Sequence, residues 1–222
     1  MIDRLDVCSD TEELCVEPDG NSTPTYESAG QSNRYVIYFG IFMVVGLGTL
    51  AWIGRPPIVS ARGEKLPQLD LQPLLESAEP VDNASLEGAV TVLHFWGTWC
   101  HYCKLEFPEF VELAKEFEGN QQVKIVSVSC SPGAEMDVGR LAADTRQYLS
   151  QFDVTLPTYT DAAGMTRTRV GMLLNGSLGY PTTLVVGPDG VITDTLTGYR
   201  AGDMLNLASG IKRQLKQIEL QR

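Results

Sequence analysis

Apolar and polar positions alternate on two different scales along the chain. Tyr35 to Gly54, "YVIYFGIFMVVGLGTLAWIG", runs twenty residues without a charge between Arg34 and Arg55. At a rise of 1.5 Å per residue such a helix reaches about 30 Å, the thickness of a bilayer's hydrocarbon core. Tyr35, Tyr38 and Trp52 stand near its ends, where amphipathic rings favour the interface. A cleaved signal peptide would open on a short basic stretch, whereas this run follows an acidic one. The pattern predicts a single transmembrane helix over residues 35–54.

Beyond Lys65 the period shortens. "AVTVLHFW" (89–96) is a continuous β-branched and apolar run, the mark of a strand buried on both faces. Residues 100–118 carry Leu105, Val111, Leu113 and Phe117 at helical spacing among Lys and Glu. "VKIVSVS" (123–129) predicts a second strand and residues 138–152 a second helix. "TTLVVG" (182–187), the turn "PDG" and "VITDTLTG" (191–198) predict a hairpin. A closing amphipathic helix carries Met204, Leu205, Leu207, Ile211, Leu215 and Ile218. Strand, helix, strand, helix, hairpin and helix imply an α/β domain: parallel strands joined to an antiparallel pair, with helices on both faces.

Composition adds limits. The chain has 222 residues, 43% hydrophobic and 20% charged, which excludes disorder throughout. A net charge of −11 argues against a nucleic-acid partner, which favours a basic face. Residues 1–34 hold eight of the acids against Arg4 and Arg34 and few large apolar side chains, so a disordered tail is expected there. Residues 55–63, in "RPPIVSARGEK", read as a tether to a domain over 64–222. Close to the span, Arg34 stands on one side and Arg55, Arg62 and Lys65 on the other, a bias that points the C-terminal part inward.

Five cysteines, Cys8, Cys15, Cys100, Cys103 and Cys130, are too few and too scattered for a disulfide scaffold. The close pair Cys100–Cys103 admits three readings. A structural zinc site needs four ligands, and Cys100, Cys103 and His101 supply three at most; His94 falls within a predicted strand and reads as packing. An inert disulfide would close a loop too short to stabilise much. Redox exchange has a mechanism. The pair follows a buried strand and opens a helix, where unpaired N–H groups and the helix dipole favour a Cys100 thiolate, partly exposed. Cys103, a turn further in, is placed to attack the mixed disulfide. Redox chemistry is the expectation, with no cofactor or metal beyond the Cys100–Cys103 disulfide.

"FWGTWCHYCKLEFP" resembles the active-site segment of thioredoxin-like proteins, and most of all the membrane-anchored thiol-disulfide oxidoreductases of the TlpA/ResA/DsbE class. The likeness runs from about Glu64 to the C-terminus, through "LPQLDL", the Tyr180-Pro181-Thr182 step and "VVGPDGVI". It implies a thioredoxin fold, a central mixed β-sheet flanked by helices and preceded by one membrane helix. Cys100 matches the attacking cysteine, Cys103 the resolving one and Glu106 an acidic residue three positions on. Pro108 matches a proline that kinks the active-site helix, and Pro181 a cis-proline that holds the substrate chain with Tyr180 and Trp99 beside it. At i+3 from Cys103, Glu106 is either a proton carrier for that thiol or a solvated surface acid.

The chain departs from the family at His101 and Tyr102, where proline is usual in second place; a charged His101 would tune the pair toward oxidation. Residues 160–179 are longer and richer in glycine than the family requires, and are read as a lip beside Pro181. Trp96 reads equally as core, and Cys130 as a buried bystander or a third redox thiol. The resemblance also implies a layout with the catalytic domain outside the bacterial cytoplasmic membrane, on the periplasmic side, against the charge bias. Expected partners are protein disulfides, apo-cytochrome c among them, and a membrane thiol reductase as electron donor. The rival functions are a dithiol oxidase or isomerase using the same residues, a redoxin-type peroxidase and a copper-handling assembly factor.

Overall fold

The computed structural model describes residues 32–53, 60–133 and 137–220. The acidic tail up to residue 31, with Cys8 and Cys15, and residues 54–59, the last of the expected span and the first five of the tether, lie outside them. The chain divides into two units, Met1–Pro57 and Ile58–Arg222. In the first, helix α1 (Ser32–Ile53) covers the uncharged run. Its large apolar side chains from Tyr35 to Leu50 are exposed. Among the described residues no helix is long and apolar enough to cross a membrane; the span expected over 35–54 runs past the last described side chain of α1, Leu50.

The second unit is built on six strands. They are β1 (Gln72–Pro73), β2 (Val90–Trp96), β3 (Val123–Ser129), β4 (Thr158–Thr160), β5 (Thr182–Val186) and β6 (Ile192–Thr197). They form one mixed sheet in the order β1-β4-β3-β2-β5-β6. β2 runs parallel to β3, and β3 to β4; β5 is antiparallel to β2 and to β6, and β1 to β4. Helices α2 (Asn83–Leu86), α3 (His101–Glu116), α4 (Val138–Leu149), α5 (Met165–Leu173) and α6 (Asp203–Leu220) complete it. The four longest strands and α3, α4 and α6 fall where the hydrophobic pattern predicts them.

β2 lies at the centre with all seven residues buried. Successive side chains point to opposite faces, so its even positions Val90, Val92 and Trp96 pack with Phe107 and Phe110 of α3 and Met204 and Ile211 of α6. Its odd positions Leu93 and Phe95 pack with Val126, Leu184 and Val170 on the other side. Two covered faces explain the unbroken apolar run. Each fully buried side chain of this size contributes about 1.5–3 kcal/mol. α6 closes the first layer with Met204, Leu207, Ala208 and Ile211, one stripe at helical spacing.

Two findings adjust the expected layout. Ala61 is fully buried, and Gly63 N–H donates to the Ile192 carbonyl at 2.8 Å, so packing begins a few residues before Glu64. Residues 160–179 are more ordered than a lip: Thr160 closes β4, and α5 buries Thr166, Val170 and Gly171. Gly171 permits the next turn to return over the helix, since a Cβ there would lie 3.2 Å from the Leu178 nitrogen.

Candidate active site

β2 delivers the chain to the edge of the sheet at Trp96, and residues 97–100 turn it into α3. Cys100 is the N-cap of α3, in extended conformation, and its Sγ accepts the Cys103 N–H at 3.1 Å. Cys100 and Cys103 are joined in a disulfide, with their Cα atoms 5.2 Å apart. When that bond opens, the same N–H and the helix dipole favour negative charge on Cys100 Sγ. Cys100 is 6% exposed and Cys103 1%. The outer and inner order expected from the helix start holds, but Cys100 is buried rather than partly exposed, because the apolar cluster under α3 takes in both sulfurs.

The turn is held by Trp99. Its indole Nε1 donates to the Cys130 carbonyl at 2.8 Å, and its ring meets that of Tyr180 edge-on at 5.3 Å. Gly97 makes this possible: a Cβ there would lie 2.4 Å from Trp99 Nε1 and 2.9 Å from the Cys130 oxygen. The Tyr180–Pro181 peptide is cis, as the resemblance implies, and Pro181 is buried at the mouth of β5. Trp99, Thr98, Asp137 and Arg140 line a groove of about 480 Å³. Tyr180, Arg167, Met172 and Ser177 line another of about 370 Å³, which is where the 160–179 segment meets the Pro181 step. His101 and Tyr102 are exposed, their rings in edge contact at 5.7 Å. Pro108 lies inside α3, which continues through it to Glu116.

Glu106 is not a surface acid. It is 2% exposed, on the face of α3 that packs on β2. Burial, followed by the nearby charges of Glu109 and Asp203, pushes its carboxyl up to about 8. Opposite stands His94, fully buried, with Nε2 3.6 Å from Glu106 Oε2. Burial pulls His94 down to about 3, so it is neutral at physiological pH. From sequence alone His94 is packing within a strand; the structure adds that it faces Glu106. The available signal was parity, for His94 shares the even face of β2 with Val90, Val92 and Trp96. Trp96 itself is core, its Nε1 donating to Ser127 Oγ at 2.8 Å.

Cys130 is a buried free thiol pushed up to about 12, chiefly by burial, and this suits a bystander rather than a redox thiol. Among the described residues no group of three or more His, Cys, Asp or Glu could hold a metal ion. The arrangement is a disulfide at a helix start, with a buried carboxyl further along the same helix and the Trp99–Tyr180 aromatic pair at the turn that leads into it.

A profile of the AhpC/TSA family matches residues 62–195. The chain belongs to that family. It is 30% identical over 147 residues to the thiol-disulfide oxidoreductase ResA of Oceanobacillus iheyensis, covering 64% of this chain and 68% of that protein. It is 27% identical over 164 residues to the thioredoxin-like protein YneN of Bacillus subtilis, covering 72% and 88%. Among solved structures, a thiol:disulfide interchange protein of the thioredoxin family from Chlorobium tepidum aligns with a TM-score of 0.54 at 20% identity, over 70% of this chain and 98% of that one. The fold is thioredoxin-like, and the chain is a thiol-disulfide oxidoreductase of the ResA/DsbE type.

Proposed function

We propose that this oxidoreductase is tethered to the bacterial cytoplasmic membrane by residues 35–54 and reduces disulfides of proteins outside it, apo-cytochrome c among the candidates. The observation that carries the redox assignment is the Cys100–Cys103 disulfide at the N-cap of α3, with Cys100 Sγ already receiving a backbone N–H. The tether is supported by a helix whose apolar side chains from Tyr35 to Leu50 are exposed on every face, as a helix immersed in lipid would require. The periplasmic placement and a membrane thiol reductase as electron donor rest on the resemblance in layout.

In the reducing direction the Cys100 thiolate attacks a substrate disulfide and the substrate's first sulfur leaves. Cys103 then gives its proton to the Glu106 carboxylate, left ionised when the pair was reduced, and attacks Cys100 Sγ. The Cys100–substrate bond breaks, the Cys100–Cys103 bond forms, and the substrate departs reduced by two electrons, its two sulfurs leaving as thiolates that take their protons from water. Trp99, Tyr180 and Pro181 form the rim on which the substrate chain lies. His101 and Tyr102, exposed at the helix start, tune access and poise.

Variants of the two thiols test this. Cys100→Ser should abolish exchange and trap nothing. Cys103→Ala should leave Cys100 reactive and accumulate covalent complexes, whose partners identify the substrates. Trapping by Cys100→Ser but not Cys103→Ala would reverse the two roles. Full activity in both variants would remove the redox assignment.

A further inference from the structure

Among the described residues three buried side-chain atoms lack a hydrogen-bond partner: Thr91 Oγ1, His94 Nε2 and Glu106 Oε2. Two of the three face each other across 3.6 Å. Buried polar groups rarely go unpaired, and those that do call for an explanation. The rest of the His94 ring is fixed. The β2/β5 register sets His94 opposite Thr183, and Nδ1 lies 2.9 Å from the Thr183 hydroxyl. The ring stacks on Phe110 at 4.0 Å. Its Nε2 edge is therefore aimed at Glu106 by three elements, β2, β5 and α3.

We propose that His94 is the positioning residue of Glu106: its Nε2–H holds the carboxylate once Glu106 has given its proton to Cys103, while the Thr183 hydroxyl donates to Nδ1. This rests on the reading above that Glu106 exchanges a proton with Cys103. When a donor thiolate attacks Cys100 Sγ, the Cys100–Cys103 bond breaks and Cys103 leaves as a thiolate. It takes the Glu106 proton, and a buried carboxylate remains. A separation of 3.6 Å is too long for a hydrogen bond, as suits the disulfide form, in which Glu106 holds its proton near neutral pH. Closure by a few tenths of an ångström makes the bond when the charge appears, and contacts of this kind tighten as a reaction proceeds.

The other groups around Glu106 do not supply that donor. Glu109 and Asp203 are themselves acids and oppose its ionisation. The Tyr199 hydroxyl and the Gly202 N–H both donate to Glu109, at 3.1 and 3.2 Å. A neutral imidazole carries one N–H, and a hydroxyl can donate or accept. Thr183 accommodates the tautomer this requires: when its hydroxyl donates to Nδ1, the imidazole proton sits on Nε2.

Two measurements on the full chain test the assignment. The chain has two histidines, and the second, His101, is exposed, so nitrogen NMR distinguishes their rings. In the reduced protein, above the pH at which Glu106 ionises, His94 should carry its proton on Nε2 with Nδ1 bare. A proton on Nδ1 there would overturn the proposal, and this needs no substitution. The second reads the pH dependence of reduction by dithiothreitol. His94→Phe should move the step that Glu106 imposes upward by about one pH unit, a tenfold change in ionisation. His94→Gln, which carries an amide N–H to the same place, should restore it. An unmoved step in His94→Phe would overturn the role of His94 alone, provided Glu106→Gln removes the step. A profile unchanged by Glu106→Gln would overturn the proton role of Glu106 and this inference with it.

Discussion

Glu106 and His94 titrate in opposite senses, and the signs fix where stability should respond to pH. Native Glu106 keeps its proton up to about 8 against an ordinary 4.5. Between those values the native state binds a proton that the unfolded chain lacks, so stability falls as pH rises, by at most about 1.4 kcal/mol per unit. His94 is depressed to about 3 from 6.5. Between those values the unfolded chain binds the extra proton, and stability rises with pH. The two oppose each other from pH 4.5 to 6.5, which leaves 6.5 to 8 to Glu106. Denaturant unfolding of the oxidised protein should show stability declining over that window, and Glu106→Gln should flatten the curve; a flat wild-type curve would contradict the buried, protonated carboxyl. At Gly97, substitution by Ala should cost about 1–3 kcal/mol through overpacking and release the Trp99 indole from the Cys130 carbonyl, seen as a change in tryptophan fluorescence. An unchanged spectrum and stability would mean the turn has room to spare. These residues were only half legible in the sequence. The i+3 spacing put Glu106 beside Cys103, but burial depends on which face of α3 meets β2, and that is fixed by residues far away in sequence.

At the scale of elements, legibility followed length and burial. β2 could be read because both its faces are covered, so every residue from Val90 to Trp96 carries the signal. α3 and α6 repeat their apolar stripe over several turns. β1 with two residues, β4 with three and α2 with four are too short to show any period. α5 is longer, but its buried positions are Thr166, Val170 and Gly171, of which hydropathy marks one. The α6 stripe carries a direct expectation. Ile211, fully buried against the even face of β2, should cost about 2–5 kcal/mol when replaced by Ala, measured by denaturant unfolding. Thiol exchange per folded molecule should persist, because Ile211 supports the layer beneath the site. A loss of exchange in molecules that remain folded would place α6 in the site itself.

For the whole molecule, the redox centre was readable as a local motif, whereas the side of the membrane was not, since two signals disagree. The Arg and Lys count near residues 35–54 points the C-terminal domain inward, and the layout of the resembling proteins points it outward. Long domains translocate largely regardless of charge, so we expect a reporter fused after Arg222 to lie outside the cytoplasmic membrane; cytoplasmic behaviour would remove the proposed envelope substrates. The central claim is that the Cys100–Cys103 pair works as a reductant, and its reduction potential tests that most directly. Equilibration of the full chain against a thiol–disulfide buffer should give a value below about −200 mV, in the range of reducing thioredoxin-like proteins. A value near about −120 mV, that of a strong dithiol oxidant, would contradict the account and make the protein an oxidase built on the same residues.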